Sequence, residues 1–348
     1  MFANDFKVEV VVNYGKPSEP LAFPLPKNVK LTFLTPKKPD EISMKSLITG
    51  FKWHRIPKEI IRRMNIKKTK NQVFKNYFTS LNTDYLITDR ADYNRLIFKY
   101  YHGHAIKIAT DHNYHQNNPK YINELISSLQ GFDYLVVVTK ELEDFYKAKI
   151  KPTKCLTIPN ALVTIPTKKS PLNSPNLLAI GRLYPEKDFS TLIDTMKIIH
   201  DQNPDVHLTI IGDGPEYKAL KSKIASQNLQ KAITLTGFIP QPQISDYYYQ
   251  SSLFVMTSIT EAFGLVLIEA MSHGVPCVAF SRASGARNLI TKDTGVLINH
   301  STPETLAGSI LDLLSHPDKL KQYQININST INQYSLSEVK KLWQKILQ

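Results

Sequence analysis

Short apolar runs recur along the whole chain, separated by segments with helical spacing. The first half contains the runs KVEVVVNY, VKLTFLT, DYLIT, AIKIAT, DYLVVVT and KCLTIP. The second half contains NLLAIG, HLTIIG, ITLTGF, LFVMTS, PCVAF and GVLI, with clearer helical segments between them. Apolar strands that alternate with helices are typical of parallel sheets built from βαβ units. The pattern therefore predicts an α/β protein.

The segment TIPTKKSPLNSP has the composition of a linker and divides the chain in two. Its position predicts two facing Rossmann-like domains, each a doubly wound parallel sheet, at residues 1–166 and 172–330. Residues 331–348 are predicted to form a C-terminal helix that packs back toward the N-terminal domain. Sheets of this kind bind ligands beyond the carboxyl ends of their strands.

Composition indicates a soluble globular protein, with 42% apolar and 21% charged residues. The two cysteines, Cys155 and Cys277, lie in unrelated contexts, which favours a reducing compartment and a cytoplasmic location. The sequence has neither a dinucleotide-binding fingerprint nor a phosphate-binding loop of the G-K-[ST] type.

Much of the net charge of +13 lies in residues 44–78, where ten Lys or Arg face one acid, Glu59. Apolar residues are interleaved with these cations: Leu47, Ile48, Phe51, Trp53, Ile56, Ile60, Ile61 and Met64. This combination predicts attachment to an anionic membrane surface, and we expect no nucleic-acid partner. Alternatively, the apolar residues pack on the first domain and only the cations reach solvent. Pro57 is expected to break the segment into two short helices.

The segment SITEAFGLVLIEAM sets two carboxylates, Glu261 and Glu269, beside or within an apolar run. A helix that starts near Phe263 would offer the amides of Gly264, Leu265 and Val266 to an anion. Glu269 would then lie about 9 Å further along the axis, where a carboxylate suits the two hydroxyls of a ribose. Diphosphate and ribose together indicate a sugar nucleotide.

GRLYPEK supplies two cations, Arg182 and Lys187, after another strand. They could neutralise a departing diphosphate without a metal, although an ordinary basic loop is the alternative. The tyrosines at 247–249 are expected only to pack a helix.

The blocks GRLYPEK, IIGDGPE, LTGFIP and EAFGLVLIEAMSHGVPCVAF occur in this order. Over roughly residues 80 to 347 the chain therefore resembles the retaining family-four glycosyltransferases of GT-B fold. The resemblance implies transfer of a hexose, with retained configuration, from a nucleotide diphosphate donor such as a UDP-sugar. The implied acceptor, on the N-terminal domain, is a growing surface polysaccharide of the capsule or exopolysaccharide type, or a lipid-linked saccharide. It also implies neither cofactor nor metal, and a peripheral location on the inner face of the cell membrane.

The resemblance also implies roles for particular residues. Arg182 and Lys187 would bind the donor diphosphate, Glu269 the ribose, and Glu261 the transferred sugar. The amides of Phe263, Gly264 and Leu265 would face phosphate and sugar, and Phe238 and Ile239 would lie near the base. His112, in IATDHNYHQ, would contact the transferred sugar.

Histidines and Asp111 raise the alternative of a metal site, formed with His112 and His115 and helped by His102 and His104. No cluster with recognised metal-ligand spacing supports it, so we expect no metal. A structural role, with no part in binding or catalysis, is the alternative for His102, His104 and His115.

One part of the family pattern is missing. The usual first strand and glycine-rich loop are not found, and KVEVVVNY resembles the second strand of such a domain. A donor-binding or scaffold subunit of low activity is therefore an alternative function. A nucleotide-sugar epimerase is a further alternative, which the spacing of Glu261 and Glu269 disfavours.

Overall fold

The computed structural model describes residues 2–15, 25–35 and 53–347. Contacts between residues divide the chain into two compact units. One comprises Met1–Thr110 and Asn123–Leu135, and the other Asp111–Ile122 and Val136–Gln348. The boundary predicted at residues 166–172 and the packing of the last helix stay predictions.

The first six described strands occur where the sequence places its first six apolar runs. They are β1 Glu9–Tyr14, β2 Lys30–Thr35, β3 Tyr85–Thr88, β4 Ile106–Asp111, β5 Tyr134–Val137 and β6 Lys154–Thr157. β1 and β2 form a parallel pair, and a second sheet has the order β3-β4-β5-β6. The helices in this part are α1 Ile56–Thr79, α2 Ala91–Tyr100, α3 Pro119–Ser128 and α4 Lys140–Tyr146, with a 3-10 turn at Trp53–Arg55.

Helix α1 has 24 residues and begins beside Pro57, so the helix predicted after Pro57 is present but longer than expected, and the helix predicted before Pro57 stays a prediction. Pro57 lies in the first turn of α1, where an absent backbone N–H removes no helical hydrogen bond. Ile66, Phe74 and Phe78 are buried, and the rings of Phe74 and Phe78 stack at 5.1 Å. Residues 44–52, the first part of the segment predicted to attach to a membrane, lie outside the described residues.

The second unit contains a six-stranded sheet of order β12-β11-β10-β7-β8-β9. Its strands are β7 Asn176–Ile180, β8 His207–Ile211, β9 Ile233–Gly237, β10 Leu253–Met256, β11 Cys277–Phe280 and β12 Gly295–Ile298. All pairs are parallel. The chain moves outward from β7 to β9 and then returns to pair β10 with β7. This reversal makes the gap between the ends of β7 and β10 the switch point of the sheet.

Helices connect these strands and follow the last of them. They are α5 Phe189–Gln202, α6 Tyr217–Ser226, α7 Gln241–Tyr249, α8 Leu265–Ser272, α9 Ser284–Leu289, α10 Pro303–Ser315, α11 Pro317–Thr330 and α12 Leu336–Gln344. Short 3-10 helices occur at Pro185–Lys187 and Ile331–Tyr334.

Buried apolar side chains make up most of the centre of this sheet. Leu177, Leu208, Val255 and Val278 are buried, as expected when helices cover both faces of a parallel sheet. Each of the twelve predicted runs contains a strand, and the α/β class with parallel sheets is confirmed.

Candidate functional site

The loops that follow β7 and β10 are joined at the switch point of the six-stranded sheet. The backbone N–H of Ile259 donates to the carbonyl of Glu186 at 2.8 Å. The hydroxyl of Thr257 donates to the carbonyl of Lys187 at 3.1 Å. Side chains from the two loops are therefore presented together at the carboxyl edge of the sheet.

Lys187 and Glu261 form an ion pair across these loops, between Nζ and Oε2. Both side chains are largely shielded, with 18% and 20% of their surface exposed. The sequence predicts both residues at this edge, and the structure brings them into contact.

Arg182 belongs to the same loop as Lys187 but has different neighbours. Its guanidinium lies 4.9 Å from the ring centroid of Tyr184, and Nη2 lies 3.5 Å from a carboxylate oxygen of Glu186. Its side chain is 72% exposed. Arg182 is thus a solvent-facing cation near the partly buried Lys187.

Helix α8 begins at Leu265, two residues later than the sequence suggests, and Gly264 precedes it with φ of +88°. Glycine adopts this left-handed conformation without the strain that a Cβ atom causes. A Cβ atom on Gly285 would lie 2.4 Å from the carbonyl oxygen of Phe263, so close backbone packing holds the turn. The first amides of a helix have no partner in a preceding turn and favour an anion.

Glu269 lies on α8, half-buried behind this helix start. The hydroxyl of Tyr248 donates to Oε2 at 3.3 Å, and Nε2 of Gln241 lies 3.5 Å from Oε1. Burial raises the pKa of Glu269, and these two hydrogen bonds oppose the shift. Tyr248 stacks on His273 at 4.6 Å, so it both packs and orients the carboxylate. The sequence predicts only the packing.

His112 is exposed directly after β4. The preceding Asp111 is buried, and its Oδ1 accepts hydrogen bonds from the hydroxyl of Tyr121 at 2.6 Å and the amide of Asn113 at 3.1 Å. Burial raises the pKa of Asp111. These bonds hold the turn that carries His112.

His115 is buried, stacks on Phe145 at 4.1 Å, and accepts a hydrogen bond at Nδ1 from the amide of Asn117 at 2.9 Å. These contacts give His115 a structural role, which is one of the roles that its sequence context leaves open. His102 and His104 are exposed.

Glu141 connects the turn after β4 with helix α9. Its Oε1 accepts from the hydroxyl of Tyr114 at 3.1 Å and from Nη2 of Arg287 at 2.7 Å. Its Oε2 accepts from the hydroxyl of Ser284 at 2.8 Å. The residue after Ser284 is Gly285, and its backbone amide donates to the carbonyl of Glu261. The turn of His112 and the loop of Glu261 thus belong to one bonded network, which the sequence alone does not indicate.

Apolar side chains also reach solvent at this edge. Phe238, after β9, is 75% exposed, whereas Ile239 is half-buried. Leu265 at the start of α8 is exposed as well, but Phe263 is buried with its ring 6.0 Å from that of Tyr334. An exposed aromatic ring offers a flat face on which a nucleobase can stack.

Within residues 2–15, 25–35 and 53–347, no group of three or more His, Cys, Asp or Glu is arranged to hold a metal ion. In the same part of the chain, no helix is long and apolar enough to cross a membrane.

Residues 164–329 match the family "Glycosyl transferases group 1". The match covers less than half of the chain and includes the β7 and β10 loops and α8.

Two curated relatives share part of the sequence. An uncharacterised glycosyltransferase of Haemophilus influenzae is 28% identical over 218 residues, 62% of this chain and 61% of its own length. The amylovoran biosynthesis glycosyltransferase AmsD of Erwinia amylovora is 31% identical over 171 residues, 49% of this chain and 47% of its own. The chain thus spans about half the length of these relatives.

Two solved structures share the fold. Sucrose-phosphate synthase of Thermosynechococcus elongatus matches with a TM-score of 0.76 and 18% identity, over 99% of this chain and 90% of its own. HepE of Anabaena, solved in complex with UDP, matches with a TM-score of 0.70 and 18% identity, over 92% and 86%.

Proposed function

We propose that this chain is a retaining, family-four type glycosyltransferase that transfers a hexose from a nucleotide diphosphate donor, with UDP as the nucleotide. The carrying observation is the meeting of Lys187, Glu261 and the start of α8 at the switch point of a parallel sheet. This arrangement combines a cation, free helical amides and a carboxylate at the edge where such sheets bind ligands.

Each residue then has a chemical task. Lys187, the exposed Arg182 and the amides of Gly264 and Leu265 neutralise the diphosphate as it leaves, which needs no metal or cofactor. Glu269, already oriented by Tyr248, accepts hydrogen bonds from the ribose hydroxyls.

The remaining contacts involve the base and the transferred sugar. Phe238 and Ile239 contact the base, and the exposed ring of Phe238 supports this assignment. Glu261, the amide of Phe263 and the exposed His112 face the transferred sugar. The acceptor hydroxyl attacks from the leaving-group side, and the departing phosphate oxygen takes its proton.

The proposed acceptor is a growing surface polysaccharide of the capsule or exopolysaccharide type, or a lipid-linked saccharide. Similarity to the Erwinia relative, a glycosyltransferase of amylovoran biosynthesis, supports this class. We assign the acceptor to an N-terminal domain within residues 1–166 and the donor to residues 172–330.

We further propose that α1 attaches the chain to an anionic membrane surface on its cytoplasmic side. Trp53, Ile60, Ile61 and Met64 are exposed, which argues against their packing on the first domain. Lys67, Lys68 and Lys75 are exposed along the following turns. Exposed apolar side chains beside cations suit the interface of an anionic bilayer.

The single acid of this segment does not oppose the field of these lysines. Glu59 is buried and its carboxylate accepts from Arg62 at 2.7 Å and Arg63 at 2.9 Å. These arginines lower the pKa of Glu59 to about 2. The two guanidinium charges exceed the single carboxylate charge, so the acid is fully compensated and the exposed lysines keep their charge.

Calorimetry of the full chain with UDP, GDP and ADP tests the donor assignment. We expect UDP to bind most tightly of the three, and UDP-sugars to release UDP during turnover. Failure of all three to bind would remove the sugar nucleotide from the proposal.

A further inference from the structure

Arg282, in the loop after β11, contacts both loops of the switch point. Its Nη2 donates to Oδ2 of Asp188 at 2.6 Å and to the carbonyl of Thr257 at 2.6 Å. Its Nε lies 3.4 Å from the carbonyl oxygen of Ser258. Its guanidinium also lies 4.8 Å from the ring centroid of Phe280, which restricts its orientation.

The acceptors of Arg282 lie next to the proposed diphosphate-binding residues along the chain. Asp188 directly follows Lys187 and is the N-cap residue of α5, where its backbone adopts a left-handed φ of +50°. Thr257 and Ser258 follow β10 and lead to Glu261. Arg282 therefore neutralises one carboxylate and covers two carbonyl groups where an incoming phosphate needs positive potential.

We propose that Arg282 is a positioning residue for diphosphate binding, an inference that rests on the proposed function. It binds the β7 and β10 loops together and prevents Asp188 from competing with phosphate for Lys187. A planar guanidinium with several donors can serve three acceptors at once, which a single ammonium group cannot do equally well. Arg282 acts through these groups and needs no contact with the donor.

The test compares the full-length chain with Arg282→Met and Arg282→Lys by calorimetry. The probes are the nucleoside diphosphate that the wild type binds and the matching nucleoside, which lacks phosphate. Arg282→Met should weaken diphosphate binding about tenfold or more, the scale of a lost charged hydrogen bond, and should affect the nucleoside much less. Arg282→Lys should recover part of the loss because it restores the charge beside Asp188.

A double variant and a matched control sharpen the result. Asp188→Asn combined with Arg282→Met should bind the diphosphate more tightly than Arg282→Met alone, because the negative charge that Arg282 no longer neutralises is then removed. Lys223→Met breaks a comparable pair, with Asp194 at 2.6 Å, on helices α6 and α5, and should leave diphosphate binding unchanged. In turnover assays, Arg282→Met should raise KM for the donor more than it lowers kcat.

Each alternative outcome has a definite meaning. Unchanged diphosphate affinity in a folded Arg282→Met would overturn the inference alone. If Arg282→Met loses affinity equally for the nucleoside and the diphosphate, and Arg282→Lys recovers none of it, the inference is overturned and Arg282 has only a structural role. If Arg282→Met does not fold, equal binding by the wild type and Arg282→Gln would have the same force. A wild type that binds none of UDP, GDP and ADP would overturn the proposed function and this inference with it.

Discussion

The ammonium group of Lys187 lies against the carboxylate of Glu261 and joins the loops that follow β7 and β10. A cation proposed to bind diphosphate is thus paired with a carboxylate proposed to face the transferred sugar. Donor phosphate and Glu261 compete for the same ammonium group, so the two residues should respond differently to substitution.

Glu261→Gln should retain or increase the affinity for the nucleoside diphosphate, because it releases Lys187 from a competing carboxylate. Turnover should fall by about tenfold or more, because an electrostatic contact to the reacting sugar is lost. Calorimetry and initial rates measure the two effects separately. A large loss of diphosphate affinity with unchanged kcat would assign Glu261 to ground-state binding instead.

Glu269 should show the opposite balance. Glu269→Ala removes an acceptor for the ribose hydroxyls and should weaken donor binding by about 1–3 kcal/mol. Calorimetry with the diphosphate measures this loss. Comparable losses of affinity in Glu261→Ala and Glu269→Ala would contradict the separate assignments.

Stability should reveal the cost of keeping Glu269 charged. Burial raises its pKa above the ordinary 4.5, so folding binds a proton and the charged form destabilises the folded state. The penalty is absent well below pH 4.5 and grows as the pH rises through the folded-state pKa. Glu269→Gln should therefore be at least as stable as the wild type at pH 7.5, and its advantage should vanish on acidification. Thermal unfolding at several pH values checks this.

Several features of this site are predictable from the sequence because parallel sheets share a common edge. The runs NLLAIG and LFVMTS predict β7 and β10, so Lys187 and Glu261 are expected at the carboxyl ends of two strands. Their direct contact depends on β7 and β10 being neighbours, which follows only from the strand order.

Arg282 could not be identified in the same way. It stands in SRASG with no motif around it, and its partner Asp188 lies 94 residues away along the chain. The hydrogen bond from Tyr248 to Glu269 could not be predicted for a similar reason, since the sequence does not show which of three consecutive tyrosines faces Glu269. Long-range side-chain contacts of this kind require the folded backbone.

His112 and His115 should separate activity from stability. His112→Ala should lower activity about tenfold with little change in Tm, because its side chain is exposed. His115→Ala should destabilise the fold by about 1–3 kcal/mol, since it removes the stack on Phe145. Rates and thermal unfolding of both variants check this. Unchanged activity in His112→Ala would remove that residue from the site.

Transfer should not depend on a divalent cation. Arg182, Lys187 and helix amides supply the positive potential proposed for the leaving diphosphate. Donor turnover after dialysis against EDTA should therefore equal that of the untreated chain. Loss of activity in EDTA that is restored by Mg²⁺ or Mn²⁺ would assign the charge stabilisation to a metal.

The exposed face of α1 should bind anionic vesicles. Each Lys near such a surface contributes about 1 kcal/mol, and salt screens the attraction. Changing Lys67, Lys68 and Lys75 to Glu should therefore abolish sedimentation with vesicles containing phosphatidylglycerol. Changing Lys218, Lys221 and Lys231 to Glu alters net charge equally on another exposed surface and should have a much smaller effect.

The apolar residues of α1 provide the second half of this test. Changing Ile60, Ile61 and Met64 to Ser should weaken vesicle binding most clearly in high salt, where apolar insertion accounts for the remaining affinity. Salt alone should weaken wild-type binding without changing its preference for anionic lipid. Equal binding to neutral vesicles, or equal losses in the two lysine triples, would mean that α1 does not recognise an anionic surface. Its exposed apolar side chains would then have to be assigned to a different partner.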